Sequence, residues 1–149
     1  LLQARVIRRL RQVVNLGKRY GVKVLIENVG LRTKNNVLFD LPEYIALFDI
    51  FPQAGALLDT GHAHVNGWDI PAVVKALGER LAACHVHDND GNGDAHLPVG
   101  QGDIDWKAYF GAVKKYAPQA TQVFEYCCGF SNTKDLEAHI AELKADYKL

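Results

Sequence analysis

Methionine is missing from the sequence altogether, and Leu1 opens straight into helical sequence. A length of 149 residues suits one ordinary domain, yet this beginning reads as a piece of a longer protein. An excess of either charge is missing as well: Lys+Arg and Asp+Glu each number 17, for a formal net charge of +0. Without a broad basic field nothing steers the chain toward nucleic acid or an anionic membrane, and a small neutral ligand suits the balance better. No apolar run approaches the ~20 residues that cross a bilayer, and the N-terminus lacks the apolar core of a signal peptide. A soluble, cytoplasmic protein is expected. Cysteine is scarce and odd in number (Cys84 and the neighbours Cys127 and Cys128), which argues against a disulfide framework. A Gly-rich phosphate turn is also absent, since GNGD at 91–94 opens no helix, so a nucleotide role is discounted.

What is present is alternation. Leu2, Val6, Leu10, Val13, Val14 and Leu16 recur at helical spacing with arginines between them, which predicts an amphipathic helix ending before Gly21. Apolar runs at 22–27 (VKVLIE), 54–59 (AGALLD), 81–87 (LAACHVH) and 121–126 (TQVFEY) read as strands. Helices are expected at 41–48, 70–77, 106–116 and 134–147, with a loop from Asp59 through Gly67 and the longest loop at 88–105. Strands alternating with helices imply a parallel sheet joined by right-handed crossovers, either open and doubly wound or closed into a barrel. In both, ligands bind at the carboxyl ends of the strands.

Each of those ends carries a donor: Glu27, Asp59, His85 and Glu125. Side chains alternate along a strand, so Leu25 shares a face with Glu27, Leu57 with Asp59, Ala83 with His85 and Val123 with Glu125. All four donors can therefore face one axis. Three carboxylates and an imidazole converging in an apolar setting repel one another unless a cation lies between them. Such a set suits Mn²⁺, Mg²⁺, Co²⁺ or Zn²⁺. Any one strand-end carboxylate is more often a backbone hydrogen-bonder, but four together reverse those odds. His62 follows Asp59 by three residues and is expected above the site, contacting substrate or a second metal. His87 lies one step beyond His85 on the same face and is a candidate substrate contact, with His64 a weaker one. Asp94 and His96 are candidates for substrate hydroxyls or a further metal. His139 belongs to a surface helix. Cys84 should point outward into packing, while Cys127 and Cys128 stay ambiguous. Trp68 and Trp106 are aromatic candidates for stacking on a sugar ring, with Trp106 assigned to packing.

The words IEN, LLDTGHAHVNGWD, HVHDNDGNGDAHLPVGQGDIDW and FEY, in this order and spacing, resemble the xylose isomerase-like TIM barrel superfamily. That superfamily includes sugar isomerases and epimerases and the endonuclease IV class, AP endonuclease family 2. The resemblance covers nearly the whole chain but only the last four units of a (β/α)₈ barrel, so residues 1–149 read as its C-terminal half. It implies that Glu27, Asp59, His85 and Glu125 are the single-metal set of the epimerases, with Glu27 and Glu125 doubling as the proton-transfer pair and His62 touching substrate. It implies a divalent-metal-dependent sugar or sugar phosphate isomerase or epimerase. In the endonuclease branch, residues resembling His62, Asp94 and His96 hold an additional metal, which gives the alternative of phosphodiester hydrolysis at abasic DNA. The loops carry little positive charge, so a nucleic acid partner is not expected. A non-enzyme alternative is a truncated barrel that only binds or dimerises, and self-association or a missing N-terminal half is expected to close the sheet edges.

Overall fold

The protein is described here by a computed structural model covering residues 1–148. Helix α1 (Leu2–Tyr20) leads into strand β1 (Leu25–Glu27), then α2 (Leu41–Ile50), β2 (Gly55–Asp59), α3 (Thr60–Val65), α4 (Ile70–Leu77), β3 (Leu81–Val86), α5 (Trp106–Tyr116), β4 (Thr121–Phe124) and α6 (Thr133–Tyr147). The strands form one 4-stranded sheet in the order β1-β2-β3-β4, and every pair is parallel. This is the α/β arrangement that the alternating pattern predicts.

The helix side of the sheet is the core. Ile26, Ala56, Leu58, Cys84 and Val86 point that way and are buried with Tyr44, Leu47 and Phe48 of α2, Val73 and Val74 of α4, and Tyr109 and Phe110 of α5. Burying each large side chain contributes roughly 1.5–3 kcal/mol. Helix starts are fixed by side chains: Asp40, Asp59, Asp69, Asp105 and Asn132 each accept a hydrogen bond from a first-turn amide of the helix they cap. The opposite face carries Leu25, Glu27, Leu57, Asp59, Ala83, His85 and Val123 and is only partly covered, with Val123 40% exposed.

Several boundaries differ from expectation. Strand β1 is confined to Leu25–Glu27, because pairing with β2 begins only at Leu25 opposite Gly55 and Val22 stays exposed. Strand β4 stops at Phe124, so Glu125 stands just past its end, although its amide still donates to the Val86 carbonyl at 3.1 Å. Helix α3 replaces the expected loop after Asp59, since that residue closes the strand and caps the helix at once. His139 is half-buried, with its ring 5.6 Å from that of Tyr126 and 5.2 Å from Phe130, not free on the surface. The balanced net charge conceals a segregation: Arg5, Arg8, Arg9, Arg11, Lys18 and Arg19 are all exposed on α1, which carries no acid. Among the described residues, no helix is long and apolar enough to cross a membrane.

Candidate metal centre

The sheet register explains why this site uses both long and short carboxylates. Asp59 is level with His85, but Glu27 is level with Leu57, two residues short of Asp59, and His85 is level with Val123, two residues short of Glu125. Two residues of strand are about 6.6 Å. The donors on the outer strands therefore start from different heights, and both are glutamates, whose extra methylene lets them reach the central pair. They do reach it. His85 Nδ1 lies 3.5 Å from Glu27 Oε1, 3.8 Å from Asp59 Oδ2 and 3.4 Å from Glu125 Oε2. A cation with bonds of about 2.0–2.2 Å spaces its ligand atoms roughly 3–3.5 Å apart, so this spacing suits donors around a shared centre better than mutual hydrogen bonds.

His62, on the first turn of α3, stands between this group and the rim. Its Nδ1 is 3.7 Å from both Glu27 Oε1 and Asp59 Oδ1, and its Nε2 is 3.2 Å from Asp94 Oδ2. That same Asp94 oxygen is 3.3 Å from His96 Nε2, while His96 Nδ1 donates to the Glu125 carbonyl at 3.0 Å. Asp94 is thus more than a turn-former beside Gly93. Among the described residues, three buried side-chain polar atoms have no hydrogen-bond partner: His62 Nδ1, His87 Nδ1 and Asp94 Oδ1. Leaving such a group unpaired costs about 1–3 kcal/mol, and His62 Nδ1 is the one that faces the strand-end carboxylates, 3.7 Å from Glu27 and Asp59. The residues present therefore fit a divalent cation. Glu27, Asp59 and His62 can be grouped within 4.8 Å, as can Asp59, His85 and Glu125.

His87 departs from expectation. Strand β3 ends at Val86, the period of two stops there, and the His87 ring is 0% exposed instead of facing a substrate. Its Nε2 donates to the Asp59 carboxylate at 3.1 Å, and its ring stacks on His96 at 3.8 Å and 11°. The ligand atoms of His87, His96 and Glu125 also fall within 4.8 Å. Two parallel stacked imidazoles, however, direct their lone pairs in separate planes, and His87 is already committed to Asp59. His87 is thereby placed to orient the Asp59 carboxylate. Burial is the strongest single influence on Asp59 and raises its pKa. The His87 hydrogen bond, the charges of His87 and His62, and the His62 amide together outweigh it and hold the carboxyl below its ordinary range.

Residues that sequence reasoning passed over hold Asp59 from behind. Asn28 clamps its backbone, accepting from the Asp59 amide at 2.7 Å and donating to its carbonyl at 3.1 Å. The Thr60 hydroxyl accepts from the His87 amide at 3.2 Å and lies within donating distance of the His85 and His87 carbonyls. Only Gly61 fits beside the His87 ring: a methyl there would lie 2.5 Å from Nδ1 and nearer still to Cε1. The word IEN and the glycine of DTGH were the available signals. His64 lies apart, its Nε2 2.6 Å from exposed Asp103. Cys84 is buried in the helix-side core, and burial raises its thiol pKa to about 11. Cys127 and Cys128 are exposed, and the Cys127 thiol donates to the Ala95 carbonyl at 3.2 Å. Trp106 is buried, and Trp68 packs on Tyr44 at 5.8 Å.

The family described as xylose isomerase-like TIM barrel matches residues 2–145. The chain belongs to that family. An uncharacterized protein of Methanocaldococcus jannaschii, MJ1614, is 30% identical over 112 residues, covering 73% of this chain and 41% of that protein. A second from the same organism, MJ1311, is 32% identical over 104 residues, covering 65% of this chain and 34% of its own length. The chain thus spans less than half the length of these curated relatives. Among solved structures, a D-allulose 3-epimerase from Methylomonas sp. superposes with a TM-score of 0.79 at 19% identity, over 97% of this chain and 55% of that one. A D-tagatose 3-epimerase-like protein gives 0.74 at 24%, over 95% and 52%. A Thermus thermophilus protein soaked with ZnCl2 gives 0.67 at 25%, over 95% and 51%. The xylose isomerase-like chain is accordingly a partial barrel of four parallel strands.

Proposed function

We propose that this chain carries the metal-binding part of a divalent-metal-dependent sugar or sugar phosphate isomerase or epimerase. The observation that carries the reading is His85 Nδ1 standing 3.4–3.8 Å from carboxylates of Glu27, Asp59 and Glu125. A Mn, Mg, Co or Zn ion held by these four supplies, when bound, the Lewis acidity that makes a proton next to a sugar carbonyl removable. The chain's own groups then divide the work. Asp59, whose side chain is 1% exposed, acts only as an anchor, whereas Glu27 and Glu125 are 29% and 36% exposed and can meet a substrate. Glu27 ends one outer strand and Glu125 follows directly on the other, so one can take the proton and the other return it from the opposite side. His62, Asp94 and His96 form the rim available to sugar hydroxyls. The sugar 3-epimerases among the structural neighbours support the substrate class. The activity belongs to the whole protein, in which further strands, from the rest of a longer chain or from a second copy, complete the barrel.

Exchange of substrate carbon-bound hydrogen with deuterated water, using D-tagatose and D-allulose as probes, tests this reading. Glu125→Gln should slow exchange by about 10²–10⁴-fold with the fold retained. Undiminished exchange in that variant overturns the assignment. A second reading, an endonuclease IV-like hydrolase at abasic DNA, is favoured by one observation: Asp94 Oδ2 bridges His62 and His96 at 3.2 and 3.3 Å. Three bound metals per chain and cleavage of an abasic duplex would establish it in place of the first.

A further inference from the structure

The rim residues Asp94 and His96 ride on the long loop between β3 and α5, which has no regular secondary structure of its own. At its root lies Asp88, which is 0% exposed. One carboxylate oxygen accepts from the Asn89 amide at 2.9 Å and the Ile104 amide at 3.3 Å. The other accepts from the Gly100 amide at 2.9 Å and the Trp106 indole at 2.7 Å. Its backbone pairs with Leu97 in both directions, at 2.8 and 3.0 Å. One residue therefore takes bonds from the beginning, middle and end of the loop, and none of the donors is a charged side chain. Gly102 packs against it so closely that a Cβ would collide with the Asp88 carboxylate and the Asn89 carbonyl.

We infer that Asp88 is the positioning residue of the rim: its carboxylate ties the loop into one shape and so sets where Asp94 and His96 stand over Glu125 and His62. An independent observation points the same way. His96 has φ 47, a left-handed backbone uncommon for residues with a side chain, although histidine enters it more readily than most. The constraints on His96 are local to Glu125 and Cys127, at 3.0 and 3.1 Å, and the opposing hold is the Asp88 knot on the adjoining Leu97. Released at Asp88, the loop loses its hold on Leu97, the Glu125, Cys127 and His87 contacts of His96 are left to act alone, and the His62–Asp94–His96 chain loosens. The four strand-end donors, carried by the sheet, stay in place.

Asp88→Asn is the direct test, because the amide keeps the shape but turns an NH₂ toward one pair of N–H donors. By hydrogen-deuterium exchange the Leu97, Gly100 and Ile104 amides should open roughly 10- to 100-fold faster, the cost of unpairing buried donors, while Leu58 and Val86 stay protected. The ¹⁵N signature of the His96 Nδ1 hydrogen bond should disappear. Trp106→Phe removes one donor and should move both readouts the same way by less, and it decides the matter if Asp88→Asn does not fold. Unchanged loop protection and an intact His96 signature in a folded variant overturn the inference. The inference borrows from the functional reading only the importance of the rim, and neither readout depends on turnover. Absence of sugar exchange in the native protein would defeat that reading and leave the Asp88 result standing.

Discussion

Replacing Gly61 with alanine sets a helix preference against a contact. In an exposed helix the substitution stabilises by up to about 1 kcal/mol, because alanine gives up less backbone freedom on folding. Inside α3 the new methyl would lie 2.5 Å from His87 Nδ1 and closer to Cε1, on a ring that is already stacked with His96 at 3.8 Å. Overpacking costs typically 1–3 kcal/mol. Displacing the ring also breaks its hydrogen bond to the Asp59 carboxylate, worth roughly 1.5–3 kcal/mol with a charged acceptor. The net expectation is destabilisation by about 2–4 kcal/mol in urea unfolding, with divalent-metal affinity falling about 10–100-fold as Asp59 loses its orienting partner. The same substitution on a His87→Ala background should recover the ordinary helix preference and stabilise. A Gly61→Ala protein as stable as the native one, with unchanged metal affinity, would refute the reasoning.

Asn28→Ala leaves the Asp59 amide and carbonyl without partners at a buried position and should cost about 2–4 kcal/mol in urea unfolding. Asn28→Asp should not restore it, since an oxygen would then face the Asp59 carbonyl. Thiol titration of the native protein at pH 8 should modify Cys127 and Cys128 promptly and Cys84 only after unfolding. Because burial raises the folded Cys84 pKa to about 11, its contribution to stability is fully present below the unfolded value near 8.5. It is lost as pH rises toward 11, and Cys84→Ala should flatten that alkaline limb. A native protein whose three thiols all react at once would contradict the burial of Cys84.

The strand-end donors were legible because a period of two needs no tertiary information: once 81–86 is a strand, His85 must share a face with Ala83. The limit of the rule is equally physical. His87 obeys the same count, but β3 ends before it, and a histidine one step past a strand goes where space exists, which Gly61 provides. Asp59 as the cap of α3 could have been read from DTGH, where a carboxylate precedes a first-turn amide by three positions. Register was not legible, so nothing in the sequence showed why the outer donors are glutamates. Asp88 was hidden by its neighbours: in the word HVHDN it looks like one more rim residue, and only the fold brings Gly100, Ile104 and Trp106 to it. Net charge misled in a similar way, since a balance of zero is compatible with a helix that is all basic.

Glu27, Asp59, His85 and Glu125 are proposed to hold one divalent ion. Elemental analysis of the protein after equilibration with Mn²⁺, Co²⁺ or Zn²⁺ and removal of free metal, beside a His85→Ala variant of retained fold, tests it most directly. About one ion per chain is expected in the native protein and its loss in the variant; no bound ion in the native protein, or an equal content in both, would contradict a centre built on these four residues.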